Sequence, residues 1–290
     1  MSFRTIIVRD QCKLEYSLNY LVCRKGNEEK RVLLNEVKLI IIDSVLVSIS
    51  SFLISEIINN KIKIIFSDAK HNPTGEIVPY YNNFYSYRKI KEQLSFSQEA
   101  KDFLWSLIIK EKILNQAKNL NILKKIEEYN ILIEYRKNVL NGDSSNREGH
   151  SAKVYFNALF GKDFNRNQKN DINLFLNYGY SILLSTISRE IKSYGYLTEL
   201  GIHHIGESNS FNLSCDFIEP FRPLVDLYVI KNKVNIDNYK DEYVKMLSLE
   251  VSYNDKKIFL DNAIHLYVED LLSFLQTGNT DKIKFAYYEL

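Results

Sequence analysis

Residues 201–226 (GIHHIGESNSFNLSCDFIEPFRPLVD) concentrate the side chains of this protein that could do chemistry. They hold two adjacent histidines, two acids three residues apart and two prolines, in a chain with only five histidines and four prolines. His204, Asp216 and Glu219 are of the types that ligate divalent cations. At i, i+3, Asp216 and Glu219 share one face of any helical turn, so their carboxylates could converge on one ion. The spacing fits a surface turn equally well, with Asp216 as a helix N-cap, Pro220 in the first turn and His203 and His204 half-buried in a loop. Glu148 poses a similar choice. Ser145-Asn146-Arg147-Glu148 matches the S-x-x-E capping box, in which the glutamate bonds back to the backbone of the cap residue. Against that, Gly149 follows directly, a poor first-turn residue whose missing side chain would let a substrate or a metal approach the carboxylate. His150 is a second candidate, more a neighbour than a ligand. Arg147 and Arg222 lie beside the acids and could neutralise phosphates, against the default of a solvated arginine.

The elements that must position these groups divide the chain in two. At 290 residues the sequence exceeds the usual size of one core, so two domains are expected. The first 80 residues carry short β-branched and aromatic runs at 5–10, 13–17, 20–25, 31–34 and 38–43, broken by turn residues, which predicts a meander. Residues 48–60 place Ile49, Phe52, Leu53 and Ile57 on one helical stripe, and 61–66 return as a strand. Residues 71–79, with two prolines and a glycine, read as the linker. Beyond residue 84 the period becomes helical: over 98–120 apolar residues recur at three and four, so one face is buried, and 123–139 continue the pattern. Trp105 reads as packing rather than a base-stacking platform. Residues 141–146 are a turn by composition, and 171–194 form a long apolar helix expected at the domain centre, with Gly179 permitting close helix contact. Helices near 223–231 and 238–249, a hairpin across Asn254-Asp255, a last helix over 259–276 and a loosely held tail complete the reading. The expected fold class is α+β with two domains: a small β-rich N-terminal domain (1–80) followed by an all-helical C-terminal catalytic domain (81–290).

Composition bounds the function. A net charge of +2 announces no nucleic-acid binder, so any phosphate-binding surface must come from local clustering of the 38 lysines and arginines. Cys12, Cys23 and Cys215 form no CxxC pair, which suits a reducing cytoplasm and implies no structural zinc. Neither a signal peptide nor a membrane span is legible, so a soluble, cytoplasmic protein is expected. HExxH, GxxxxGK[ST] and GxGxxG are absent, which weighs against small-molecule metalloenzymes and nucleotide-binding enzymes.

Four segments, NREGHSAKVYFNALFG (146–161), INLFLNYGY (172–180), LGIHH (200–204) and DFIEPFRPLVD (216–226), in this order and at these intervals, resemble the CRISPR-associated integrase and endonuclease subunit, the Cas-one protein, most like its type II form. The resemblance runs over nearly the whole chain and agrees with a β-rich domain followed by a helical one. It implies that the metal-binding glutamate of the N-x-E-G motif is Glu148, that the histidine ending G-x-x-H is His204, and that the final acid is Glu219, where many members carry Asp. Asp216 matches the family's adjacent acid. His203 departs from the pattern, and position within the motif favours His204 as the ligand. The implied reaction joins the 3′-hydroxyl of captured spacer DNA to a phosphodiester at the CRISPR repeat, assisted by Mg²⁺ or Mn²⁺. The implied partners are double-stranded DNA and a homodimer bridged by the Cas-two protein into a heterohexamer, with type II accessory proteins; residues 1–80 would supply dimerisation and DNA grip. Two alternatives stay open. One is a stand-alone metal-dependent DNase or branched-DNA resolvase with water as nucleophile. The other is a non-catalytic DNA-binding scaffold in which Glu148 only caps a helix and His204 only packs.

Overall fold

Strand-forming runs and helix-forming runs segregate along the chain. In the computed structural model, which describes residues 4–68, 73–77, 86–235 and 237–288, they build two compact units, Met1–Tyr81 and Asn82–Leu290.

The first unit holds strands β1 (Arg4–Val8), β2 (Cys12–Ser17), β3 (Tyr20–Lys25), β4 (Glu28–Leu33), β5 (Val37–Ile42), β6 (Val47–Ile49), β7 (Lys63–Ser67) and β8 (Pro73–Glu76), with one helix, α1 (Ser51–Asn59). The predicted meander is only partly there. Strands β2, β3 and β4 pair antiparallel in succession, with Leu18 and Asn19 at φ 50° and 68° making the two-residue turn. By contrast, β1 pairs parallel with β5, β5 with β7, and β2 with β6, giving two sheets of order β1-β5-β7-β8 and β4-β3-β2-β6. The reason is in β5 itself. Its VKLIII is apolar at nearly every position and buried almost throughout, a pattern that suits a strand covered on both faces rather than one half-solvated in a meander. Helix α1 starts at Ser51, capped by the Ser50 hydroxyl accepting from Leu53 N, and buries Leu53 and Ile57. Of the expected stripe, Ile49 belongs to β6, and Phe52 is exposed, with its ring edge-on to Tyr16. Part of the expected linker is strand β8, antiparallel to β7, followed by Ile77 packed against the core of this unit; residues 71, 72, 78 and 79 lie outside the described residues.

The second unit contains α2 (Ser86–Leu94), α3 (Gln98–Ile122), α4 (Ile126–Lys137), α5 (Arg147–Phe160), α6 (Asp171–Ser193), α7 (Asn212–Ile218), α8 (Arg222–Lys231), α9 (Tyr239–Leu247) and α10 (Leu260–Thr277). It is not all-helical: β9 (Glu250–Tyr253) and β10 (Lys256–Phe259) form a hairpin whose turn residues, Asn254 and Asp255, take φ 50° and 63°. Helix α6 buries Phe175, Leu176, Ile182, Leu183 and Ile187. At Gly179 a Cβ would lie 2.5 Å from Tyr243 and 2.6 Å from Val225, so the close helix approach requires glycine. Helix α3 differs from its expected one-sided burial. Leu104, Ile108 and Ile113 are buried, but so are Lys112, Asn115, Gln116 and Asn119, because other helices cover it on several sides. That row of buried polar residues faces the candidate site. The C-terminal residues are not a loose tail: Tyr287 exchanges backbone hydrogen bonds with Ser252 (2.7 and 2.8 Å), and Ala286 and Tyr288 are buried. The three cysteines are unpaired, and no helix among the described residues is long and apolar enough to cross a membrane.

Candidate active site

Glu148 and Glu219 come from separate segments, the first turn of α5 and the single 3₁₀ turn 219–221 that joins α7 to α8. They meet at one cation, the ammonium of Lys112 on α3, whose Nζ lies 2.5 Å from Glu148 Oε1 and 2.5 Å from Glu219 Oε2. Arg222 Nε donates to the other Glu219 oxygen, Oε1, at 2.7 Å. Lys112 and Glu219 side chains are each 7 % exposed, whereas Glu148 is 36 % exposed and opens toward solvent. Burial would push the Glu219 carboxyl up, but the charges of Arg222 and Lys112 outweigh it and hold it at about 2. Burial likewise works against the Lys112 ammonium, yet Glu219 and Glu148 keep its pKa above the ordinary value. Glu219, Lys112 and Arg222 are therefore charged at neutral pH.

Neither helix-capping alternative survives. The N-cap of α5 is Asn146, held at φ 49°, whose side chain accepts from Gly149 N at 3.3 Å; a Cβ on Gly149 would lie 2.8 Å from that oxygen. Gly149 makes room for the cap rather than for a substrate. Asp143, read from sequence only as part of a turn, accepts from Arg147 N and Glu148 N at 2.9 Å each. Ser145 donates to Asn138 O instead of capping. Glu148 thus has no capping duty. Asp216, for its part, sits inside α7 rather than at its start.

Asp216 is fully buried and does not turn toward Glu219. Its Oδ2 accepts from Ile202 N (2.7 Å) and His203 N (3.1 Å), and its Oδ1 from His204 N (3.0 Å) while pairing with His204 Nδ1 (2.6 Å). The turn can wrap the carboxylate this closely only because residue 201 is glycine: a Cβ there would lie 2.2 Å from His204 O and 2.8 Å from Asp216 Oδ2. The bond to Asp216, against burial, raises the His204 pKa. It also fixes the ring and leaves Nε2 as the nitrogen available to a ligand. His203 stacks on buried Trp105, with ring centroids 4.1 Å apart at 7°, which gives the two neighbouring histidines different duties. His204 borders a cavity of about 370 Å³ shared with Gln93, Phe96, Ile205 and Asn209.

Other expected site residues are placed less centrally. The guanidinium of Arg147 lies over the Tyr135 ring at 5.3 Å, and His150 lies against the same ring at 6.1 Å. Arg222 is not merely solvated: besides binding Glu219 it lies 4.8 Å over the Tyr180 ring, and with Arg166 and Tyr180 it lines a second cavity of about 250 Å³. Sequence reasoning missed Lys112, Asn115 and Asn119, which project from α3 at i, i+3 and i+7. Asn115 Nδ2 donates to Pro220 O (3.0 Å) and Asn119 Nδ2 to Pro223 O (2.7 Å), so this row of side chains holds the 219–223 segment against α3. Polar residues recurring at helical spacing between the buried Ile108, Ile109, Ile113 and Leu120 were the available signal.

Whether these side chains suit a divalent ion can be judged from the donor set. Two carboxylates already converge on a single cation, and oxygen donors with one imidazole are ligands for Mg²⁺ or Mn²⁺. The structure brings Glu148 and Glu219 together, while His204 stands with Asp216. Among the described residues no three His, Cys, Asp or Glu side chains form a closed metal cluster. The donors fit by type, with the lysine ammonium at the position of positive charge.

Comparison with known proteins places the chain among CRISPR-associated proteins. The family model described as CRISPR associated protein Cas1 matches residues 5–261, and the chain belongs to this family. It is 32% identical over 289 residues, 97% of this chain and 94% of the relative, to the CRISPR-associated endonuclease Cas1 of Neisseria meningitidis serogroup C (strain 8013). Among solved structures it is similar to a Cas6-RT-Cas1–Cas2 complex, with a TM-score of 0.76 at 16% identity, covering 97% of this chain and 36% of that one. It is also similar to a casposase bound to integration product, with a TM-score of 0.68 at 19% identity, covering 96% and 92% of the two chains.

Proposed function

We propose that this Cas1 family protein is a divalent-ion-dependent DNA integrase and endonuclease of CRISPR adaptation, joining 3′-hydroxyl ends of captured spacer DNA to the CRISPR repeat. The observation that carries the reading is the convergence of Glu148 and Glu219, from two separate segments, on one cation position; His204 is oriented separately, by Asp216. In the joining step the 3′-oxygen of the incoming strand attacks phosphorus, the bond from phosphorus to the 3′-oxygen of the target strand breaks, and the hydroxyl proton passes through water to that released 3′-oxygen. A Mg²⁺ or Mn²⁺ ion held by Glu148, Glu219 and His204 would offset charge on the phosphate and lower the pKa of the attacking hydroxyl. This chain's own side chains do the rest. Asp216 holds His204 in one ring orientation, Asn115 and Asn119 fix the segment carrying Glu219, and Arg222, with Arg166, sets positive charge at the cavity they share for a backbone phosphate. The likeness to a casposase bound to integration product favours strand joining over simple hydrolysis.

The working assembly in this reading is a homodimer held through the β-rich unit and bridged by Cas2 on double-stranded DNA; the likeness to a Cas1–Cas2 complex supports that partner. A chain of net charge +2 needs such an assembly to build an extended basic surface. The test is substitution at the three proposed ligands. E148Q, H204A and E219Q should each abolish strand joining while leaving fold and dimer intact, and double variants should be no worse than single ones. Independent, additive losses would count against a shared site.

A further inference from the structure

The sequence motifs account for Glu148, Glu219, His204 and Asp216, but not for the lysine that sits between two of them. Lys112 lies 2.5 Å from an oxygen of each glutamate, with its side chain 7 % exposed. The second Glu219 oxygen is taken by Arg222 at 2.7 Å. Two carboxyl and two basic side chains therefore face one another, with Lys112 and Glu219 buried. The charge on Asp216 is answered separately, by three backbone N–H groups and His204.

This arrangement has a cost for any incoming ion. Mg²⁺ binds carboxylate oxygens at about 2.0–2.1 Å, closer than the ammonium, so ion and ammonium compete for the same two oxygens. Lys112 cannot withdraw by moving its backbone, because Asn115 and Asn119 tie α3 to the 219–223 segment. Its ammonium must swing aside. The site would then carry two surplus positive charges in a mostly buried setting, which is unfavourable unless an anion arrives with the ion. A DNA phosphodiester is such an anion, and coupling between two ligands is reciprocal.

We propose that Lys112 is an internal counter-cation that balances Glu148 and Glu219 in the ion-free protein, so that a divalent ion binds tightly only together with DNA. The inference rests on the reading above that these two glutamates hold the ion. Lys112 is a positioning residue here, acting through the carboxylates, and the displaced ammonium is left beside the incoming phosphate.

The test measures Mn²⁺ binding by electron paramagnetic resonance to the full-length wild type, K112M and E148Q, with and without a short DNA duplex whose 3′ ends are blocked, after subtracting Mn²⁺ bound by DNA alone. The duplex should tighten Mn²⁺ binding to the wild type by about tenfold or more. K112M, which keeps the apolar stem and loses the charge, should bind Mn²⁺ without DNA about tenfold or more tightly than the wild type, with a smaller gain from DNA. Its melting temperature should also rise more on adding Mn²⁺ than that of the wild type. Equal DNA-free affinities of K112M and wild type, or weaker binding by K112M, would overturn the proposal. Should K112M fail to fold, the wild type still decides, because unchanged Mn²⁺ affinity on adding duplex refutes it. E148Q separates the two failures. Mn²⁺ binding lost in E148Q keeps the ion at the glutamates and confines any failure to Lys112. Mn²⁺ binding retained in E148Q moves the ion elsewhere, and both readings fall.

Discussion

Replacing Asp216 by asparagine tests how His204 is held. The change removes one charge and almost no volume, so its effects come from hydrogen bonding and electrostatics rather than from packing. The carboxylate accepts from Ile202 N, His203 N and His204 N and pairs with His204 Nδ1, all inside a fully buried environment. An asparagine keeps one acceptor oxygen and puts an NH₂ in place of the other, so either Ile202 N and His203 N, or His204 N and His204 Nδ1, lose their acceptor. Two hydrogen bonds to a charged acceptor, each worth about 1.5–3 kcal/mol, are lost, for a total of about 3–6 kcal/mol. The turn cannot shift to compensate, since Gly201 already lies against both His204 O and Asp216. Urea unfolding of D216N against wild type measures this directly. A histidine NMR titration supplies the second readout. Because the Asp216 bond raises the His204 pKa above 6.5, it stabilises the fold fully below pH 6.5, and that contribution is lost as pH rises through the raised folded value. In D216N the His204 pKa should fall. A stability loss under about 1 kcal/mol with an unchanged His204 titration would refute the reasoning.

Three further perturbations probe the framework. G179A should destabilise the second unit by about 1–3 kcal/mol, seen as a lower melting temperature, because its Cβ would lie 2.5 Å from Tyr243 and 2.6 Å from Val225; a neutral result would mean that α6 and its neighbours can separate freely. N119L removes the donor to Pro223 O and to the Tyr155 hydroxyl and should cost about 1–3 kcal/mol in urea midpoint analysis, with strand joining falling as well because the Glu219 segment loses its anchor. For Glu190, burial works against ionisation, but the hydrogen bond from His265 and the Arg189 charge hold its carboxyl at about 2. Its contribution is present above the ordinary 4.5 and lost as pH falls through about 2, so E190Q should be less stable than wild type at pH 7 and the gap should close between those values; a gap independent of pH contradicts this.

The helices were legible in the sequence wherever their caps and apolar period were local. The Asn254-Asp255 hairpin and the extent of α10 follow from turn chemistry and periodicity alone. What sequence could not show was pairing over long separations. The partners in the parallel contacts of β1 with β5 and of β2 with β6 depend on crossovers, and apart from the continuous apolar run of β5 nothing local marks them, so a meander was the natural expectation. The site divides in the same way. Glu148, His204, Asp216 and Glu219 stand out through the resemblance of the four segments that carry them, since their spacing alone fitted a capping box and a surface turn as well, but the separate role of Asp216 emerges only once residues 201–204 fold around it. Lys112 was passed over for the opposite reason. A lysine on a helix is by default a solvated residue, and only the packing of α5 and the 219–221 turn against α3 makes it a buried counter-charge.

The measurement that bears most directly on the central claim is strand joining with and without a reactive end. A hydrolytic nuclease needs only an activated water, whereas an integrase must hold a DNA 3′-hydroxyl in line with the scissile phosphodiester. Incubated with Cas2 and repeat-containing DNA in Mg²⁺ or Mn²⁺, duplexes with free 3′-hydroxyls should become covalently joined to the repeat, while dideoxy-ended duplexes and the E148Q protein should give no joined product. Equal nicking of the target with hydroxyl and dideoxy ends, and no joined strand in either, would contradict the account.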